Sequence, residues 1–418
     1  MPANLAAVPE LPRDEAFAIT ADFKADTHPK KVSLGAGVYR DENSKPWILP
    51  SVNAAKEILH NTPYLDHEYL PIPGFEPFLV VARNLVLGQH DTKSTVTSIQ
   101  TISGTGANHL GAAFLSKSLN PHHVFISNPT WGNHHHIWEV AGPGITQKLY
   151  PYYKSIDGSF DFHGMMSTLE SGAVEGDVVI LHACAHNPTG IDPTRKQWEE
   201  LAQLFKRKKL FAFFDSAYQG FATGDVDFDA WAIRHFQQVL FDADDAFAGP
   251  QGMCVAQSFA KNFGLYGERV GAFHLILPSH ISPAGPQSQL HRLVRAEISN
   301  CPLFGCRIVH TVLSNPELRA MWQQDLKTMS SRIKGMRSLL RQHIEKHQGV
   351  GSWSHLESQI GMFSFTGLSP EQVSRLRDVH HIYLMQNGRA SLSGVNDGNV
   401  EYIADAFSEV ILHKAEPS

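Results

Sequence analysis

Gln257–Gly271 reads QSFAKNFGLYGERVG, with one lysine, Lys261, between Ala260 and an aromatic-containing run, and with Arg269 eight positions further on. A lysine whose apolar neighbours strip water from it loses part of its preference for the charged form, and its neutral amine can add to an aldehyde to form an imine. Lys261 is therefore a candidate Schiff-base former, set against the ordinary alternative of a solvated loop lysine. CVAQSF leads into it and VGAFHLIL leads away, and both are apolar enough to be strands.

Working back along the chain, the same construction recurs. KLFAFFDSAYQGFA is a buried strand, Leu210 to Phe214, that ends in Asp215, with Tyr218 three residues on. An acid at the tip of so apolar a strand is costly unless a cation or a protonated nitrogen meets it; a solvated loop aspartate is the alternative. DVVILHACAHNPTG is another apolar strand, running into Asn187, Pro188, Thr189 and Gly190. In open α/β sheets ligands bind at that carboxyl edge. Asp192 then reads as an N-cap and Pro193 as first-turn residue of a helix whose Trp198, Leu201, Ala202 and Phe205 share one face. The basic run Lys206–Lys209 suits the negative end of that helix and is no nucleic-acid patch.

HHVFIS, residues 122–127, is a further strand and ends in NPTWGNHHHIW. Trp131 offers a flat surface on which a ring could stack, or a core side chain. Neighbouring histidines 134–136 point apart on any regular element, and no carboxylate or cysteine completes a set, so no metal site is expected. TSIQTI, SGTG and ANHLGAAFLSKSL read as strand, turn and helix, which places free N–H groups of Ser103, Gly104 and Thr105 where an anion can bind, although any tight turn has this look. Apolar runs alternating with amphipathic helices predict an α/β fold with a mostly parallel sheet covered on both faces.

Outside this region, residues 1–12 read as an arm, and Val32 and Leu34 as a short strand reaching Gly35 and Gly37, where backbone approaches something closely. A helix is expected near Val52–His60. Tyr69 precedes a Pro-rich loop, residues 242–252 form a surface loop, and Arg295 and Asn300 lie before another helix. From Pro316 to about His347 the apolar Trp322, Leu326, Met329, Ile333, Met336 and Leu340 line one face of a long helix that crosses between two domains. Arg389 lies among small residues in NGRASLSG near the end.

Composition sets the outer bounds. The 418 residues are 42% hydrophobic and 18% charged, a globular balance, and 35 basic against 41 acidic side chains give a net charge of −6 and no global attraction to nucleic acid. No apolar run approaches the roughly 18–20 residues of a membrane span. Four cysteines without CxxC spacing fit a reducing compartment, and the first residues lack the pattern of a targeting segment, so a cytoplasmic location is expected.

Taken in order, LGAGVYR, HEYLP, SGTGA, NPTWGNH, HACAHNPTG, FFDSAYQGFA, SFAKNFGLYGERVG, SNPEL, IGMFSFTGL and NGR closely resemble the aspartate aminotransferases of the eukaryotic cytosolic type over nearly the whole chain. That resemblance implies a pyridoxal-phosphate enzyme of fold type I, acting as a homodimer on dicarboxylic amino and 2-oxo acids. It implies an arm at 1–12, a large three-layer domain over 48–320, and a small α+β domain from 13–47 and 321–418. By it, Lys261 carries the cofactor as an imine and shuttles the proton at Cα, Asp215 pairs with the pyridine nitrogen, Asn187 and Tyr218 bond the ring oxygen, and Trp131 stacks on the ring. Ser103, Gly104, Thr105, Ser258 and Arg269 hold the phosphate, joined by Tyr69 of the second subunit. Arg389 grips the α-carboxylate, Arg295 of the second subunit grips the distal one, and Gly37 lets backbone approach the substrate.

The chain departs from the family pattern at Ala260, where a second serine commonly precedes the lysine, at Gly267, usually asparagine, and at Cys301, usually the first of two prolines. Cys301 lies close to Arg295 in sequence and bears on which side chain the pocket accepts. The competing expectation is a relative with the same cofactor that takes an aromatic or cysteine-derived amino acid or runs an elimination.

Overall fold

Phe213 and Phe214 are adjacent, both fully buried, and pack in different cores. Alternate side chains of a strand face opposite ways, so a strand apolar at every position must be covered on both sides. In the computed structural model, which describes residues 5–63, 65–89, 93–241 and 250–413, that strand, Phe211–Ser216, is central to a seven-stranded sheet. The strands lie in the order Ser94–Ile102, Val270–Pro278, Met253–Ser258, Phe211–Ser216, Val178–His182, His123–Asn128 and Thr146–Pro151. Val270–Pro278 alone runs antiparallel to its neighbours; the other pairings are parallel. On one face Phe214 meets Trp198, Leu201 and Phe205 of the helix Arg195–Lys208. On the other Phe213 meets Leu110 and Phe114 of the helix Ser103–Ser118 and Trp138. The expected mostly parallel, three-layer α/β unit is present.

Both chain ends build smaller sheets. Val32–Ser33 pairs in parallel with Ile382–Tyr383, and Phe363–Phe365 pairs antiparallel with Arg389–Ser391, so that Phe365 faces Arg389. The helix Pro316–Ile344 is capped by Asn315, whose side chain accepts from the N–H groups of Glu317 and Leu318, and begins with proline. Of the expected stripe, Trp322, Leu326, Met329, Ile333 and Leu340 are buried and Met336 is half-buried. Trp322 stacks on Phe263 at 4.8 Å and donates from Nε1 to the Asn262 carbonyl at 2.8 Å, bracing the segment that carries Lys261.

Two local expectations are corrected. The cap of Arg195–Lys208 is Thr194, which forms a reciprocal capping box with Gln197; Asp192 instead accepts from the N–H groups of Ala185 and His186 at 2.7 and 3.0 Å. An aspartate able to satisfy two backbone donors in the preceding loop is withdrawn from the helix end, and the next short polar side chain caps it. The helix after Ile102 starts at Ser103, so SGTG is its first turn and not a separate loop. Of the surface loop expected at 242–252, residues 242–249 lie outside the described residues, as do residues 1–4 of the arm.

Candidate active site

Parallel strands deliver their C-terminal ends to one edge, and the residues singled out in sequence follow those ends. Ser103 follows Ile102, Trp131 follows Asn128, Asn187 follows His182, Asp215 is the penultimate residue of its strand, and Lys261 follows Ser258. Arg269 reaches the same edge because the antiparallel strand starts there, at Val270. Together with Gly37, Gly104, Thr105, Tyr218, Ser258 and Arg389 they line one cavity of about 260 Å³. Tyr69, 82% exposed, and the exposed Arg295, in the last turn of the helix Ala284–Glu297 with its guanidinium on the Ser299 hydroxyl, stand outside it.

At one end of the cavity the helix Ser103–Ser118 presents its N-terminus, with Ser103 Oγ 3.3 Å from Ser258 Oγ and the Ala260 N–H donating to Ser258 Oγ at 3.2 Å. Arg269 is fixed by donating to the Tyr266 carbonyl at 2.9 Å. Two glycines make the approach possible. A Cβ on Gly104 would stand 2.9 Å from Ser258 Cβ, and one on Gly271 would stand 2.5 Å from the Ser103 carbonyl carbon. Helix N-terminal N–H groups, two hydroxyls and a guanidinium form a cup whose chemistry suits an anion.

Further in, Asp215 is held by His134, whose Nε2 lies 3.0 Å from Asp215 Oδ2 and whose Nδ1 lies 2.9 Å from Thr130 Oγ1. Burial pushes the Asp215 carboxyl up, but the His134 hydrogen bond and the charges of His134, His182 and Lys261 outweigh it and leave its pKa below the usual aspartate value. Lys261 Nζ stands 5.0 Å from the centre of the Tyr218 ring. Burial lowers its pKa from the ordinary lysine value, opposed by Asp215 and reinforced by Arg269 and Arg389. The site thus holds an anionic acid and a lysine with weakened hold on its proton.

Arg389, in the last small strand pair, reaches in from the other side. It donates to the Gly35 carbonyl at 3.0 Å and to Asn187 Oδ1 at 3.4 Å, and its guanidinium lies 4.1 Å from the centre of the Phe363 ring. Its Nε is buried without a partner, and the acids that act on it, Glu15 and Asp14, do so only through space. A buried guanidinium lacking a carboxylate is costly unless a ligand brings one.

The structure adds residues that the sequence reading passed over. His134 supports Asp215, while His135 bonds Gln147 and His136 bonds Glu139 at the surface, so the three histidines do separate but one of them serves the site. Its signal was the single polar position that a helix starting at Asn133 turns toward the sheet edge. Asn108, on the second turn of the helix Ser103–Ser118, Tyr266 and Phe363 also line the cavity.

A family model described as aminotransferase class I and II matches residues 29–407. The chain is 48% identical to an L-tyrosine:2-oxoglutarate aminotransferase of Aspergillus ustus over 95% of this chain and 76% of that protein. It is 46% identical to the cytoplasmic aspartate aminotransferase of Saccharomyces cerevisiae over 96% of this chain and 95% of that one. Among solved structures, the aspartate aminotransferase from Saccharomyces cerevisiae cytoplasm superposes with a TM-score of 0.91 at 42% identity, covering 97% of this chain and 98% of the other. An aromatic-amino-acid aminotransferase from Burkholderia pseudomallei, covalently bound to pyridoxal phosphate, gives 0.91 at 37% identity over 98% and 100%.

Proposed function

The chain belongs to the aminotransferase class I and II family, and from that membership we propose that it is an aspartate aminotransferase, converting L-aspartate and 2-oxoglutarate to oxaloacetate and L-glutamate. The observation that carries this is the meeting, in one cavity, of a lysine with a lowered pKa, an anionic buried aspartate and an arginine without a carboxylate partner.

The residues fit pyridoxal phosphate. When bound, the cofactor supplies an electron sink through which the amino group passes from one acid to the other. The cup of Ser103, Gly104, Thr105, Ser258 and Arg269 would hold its phosphate. Asp215, kept charged by His134, would accept a hydrogen bond from the ring N–H, Asn187 and Tyr218 would bond the ring oxygen, and Trp131 would cover the ring. Burial keeps the Tyr218 hydroxyl protonated, well above the usual tyrosine range, so it acts as a donor. Lys261 would hold the cofactor through its amine, and the same amine, with its lowered pKa, would move the proton at the substrate Cα. Arg389 clasps the α-carboxylate with two parallel N–H donors, a geometry that also fixes the Cα–H direction.

Tyr69 and Arg295 stand outside their own cavity, and we place them in the site of a second copy, Tyr69 on the phosphate and Arg295 on the distal carboxylate. A homodimer with shared sites follows. The division into a large domain, 48–320, and a small one, 13–47 with 321–418, belongs to the same proposal, as does a cytoplasmic location, in line with the relatives named cytoplasmic.

A panel of amino acids tests the reading. L-aspartate and L-glutamate should each shift the absorption of the bound cofactor in the absence of a 2-oxo acid, and Arg295→Ala should cut the response to aspartate at least 100-fold while leaving tyrosine within a few-fold. A second reading, transfer from an aromatic amino acid, is favoured by the Aspergillus ustus relative; a response to tyrosine or phenylalanine with none to aspartate would establish it.

A further inference from the structure

Tyr266 lies five residues after Lys261, in the connection between two antiparallel strands, and faces the cavity. Its two ends are fixed differently. The backbone carbonyl accepts from Arg269 Nη1 at 2.9 Å, and the hydroxyl oxygen accepts from the backbone N–H of Tyr39 at 2.9 Å. Tyr39 is two residues past Gly37, so Tyr266 links the Arg269 guanidinium, through its backbone carbonyl, to the loop beside Arg389, through its hydroxyl.

A phenol oxygen that accepts an N–H still has its own proton to give, and that proton must point away from the donor it has accepted. Among the described residues no group accepts it. The remaining direction is the cavity, whose charge is set by Lys261, Arg269 and Arg389 on one side and Asp215 on the other. Burial holds the hydroxyl well above the usual tyrosine range, so the donor persists at any pH at which the protein works. At the residue before the lysine the chain has Ala260, which offers no hydroxyl of its own.

We propose that Tyr266 donates its hydroxyl proton to an oxyanion bound in this cavity, and so fixes ligand and loop together. The inference rests on the reading of the cavity as the cofactor and substrate site. Two ligands bring such an oxygen: the phosphate of the cofactor, on the Arg269 side, and the carboxylate of the substrate, on the Arg389 side.

Tyr266→Phe, which keeps the ring, separates them. Three quantities are read: the affinity of the cofactor-free protein for pyridoxal phosphate by fluorescence quenching, the affinity of the loaded protein for succinate by the change in cofactor absorption, and the unfolding temperature of the cofactor-free protein. Loss of a hydrogen bond to a charged group predicts a roughly 10-fold weaker binding of one of the two ligands and not the other, whatever fall in unfolding temperature comes from the Tyr39 N–H left without its acceptor, and the affinity that falls identifies the oxyanion. Both affinities within 2-fold of wild type would overturn the proposal. So would an equal fall in both affinities together with a lowered unfolding temperature, which marks a strut to Tyr39 and nothing more. Failure of the wild-type protein to bind pyridoxal phosphate would instead overturn the functional reading beneath it.

Discussion

His134 Nε2 stands 3.0 Å from Asp215 Oδ2, with both side chains buried. Burial alone would push the carboxyl toward its neutral form; the imidazole is the first of the groups that reverse this. His134→Ala should therefore raise the Asp215 pKa, weaken pyridoxal phosphate about 10-fold and move the acid limb of the activity profile to higher pH, because the carboxylate then takes up its proton earlier as pH falls. His134→Asn, which retains a donor, should recover part of the loss. Cofactor titration and kcat/KM against pH check both, and an unshifted acid limb would sever His134 from the site.

Gly271 is required by the backbone of Ser103, which a Cβ at 271 would meet at 2.5 Å. Gly271→Ala must displace the first turn of the helix Ser103–Ser118 from Ser258. The expected outcome is a protein that folds, at a cost of about 1–3 kcal/mol for the added methyl group, with cofactor affinity at least 10-fold weaker. Denaturant unfolding and the same titration measure the two effects separately.

Asp229 is buried, accepts from the Gly220 N–H at 2.7 Å and from Thr223 Oγ1 at 2.7 Å, and is raised by burial from 3.8 to about 7. An acid whose folded value lies above its unfolded one binds an extra proton in the native state between those limits. Its contribution to stability therefore falls as pH rises from about 4 to about 7, by at most about 1.4 kcal/mol per pH unit. Asp229→Asn should flatten that part of the stability profile. Equal slopes for variant and wild type would contradict it.

Lys261, Asp215 and Asn187 were legible because each ends an apolar run, and the rule that parallel strands deliver their ends to one edge brings them together without further information. Arg389 needed the resemblance, since nothing local tells an arginine among small residues from a surface one; its burial depends on a strand pairing with Phe363–Phe365 some two dozen residues earlier. His134 was hidden inside a histidine run whose only local interpretation was metal binding. Gly271 and Tyr266 act through contacts with Ser103 and Tyr39, more than 160 residues away in sequence, and no periodicity records such a contact. Asp192 misled because a capping side chain and a loop-bonding side chain look alike until the backbone donors around them are known.

Reduction with borohydride in the presence of pyridoxal phosphate, followed by digestion and mass mapping, tests the central claim most directly. A pyridoxyl mass on the peptide containing Lys261, absent from Lys261→Ala, is the result expected of a half-buried amine with lowered pKa in the cavity it shares with Asp215. No pyridoxyl mass, or one distributed over surface lysines while Lys261 stays unmodified, would contradict the account.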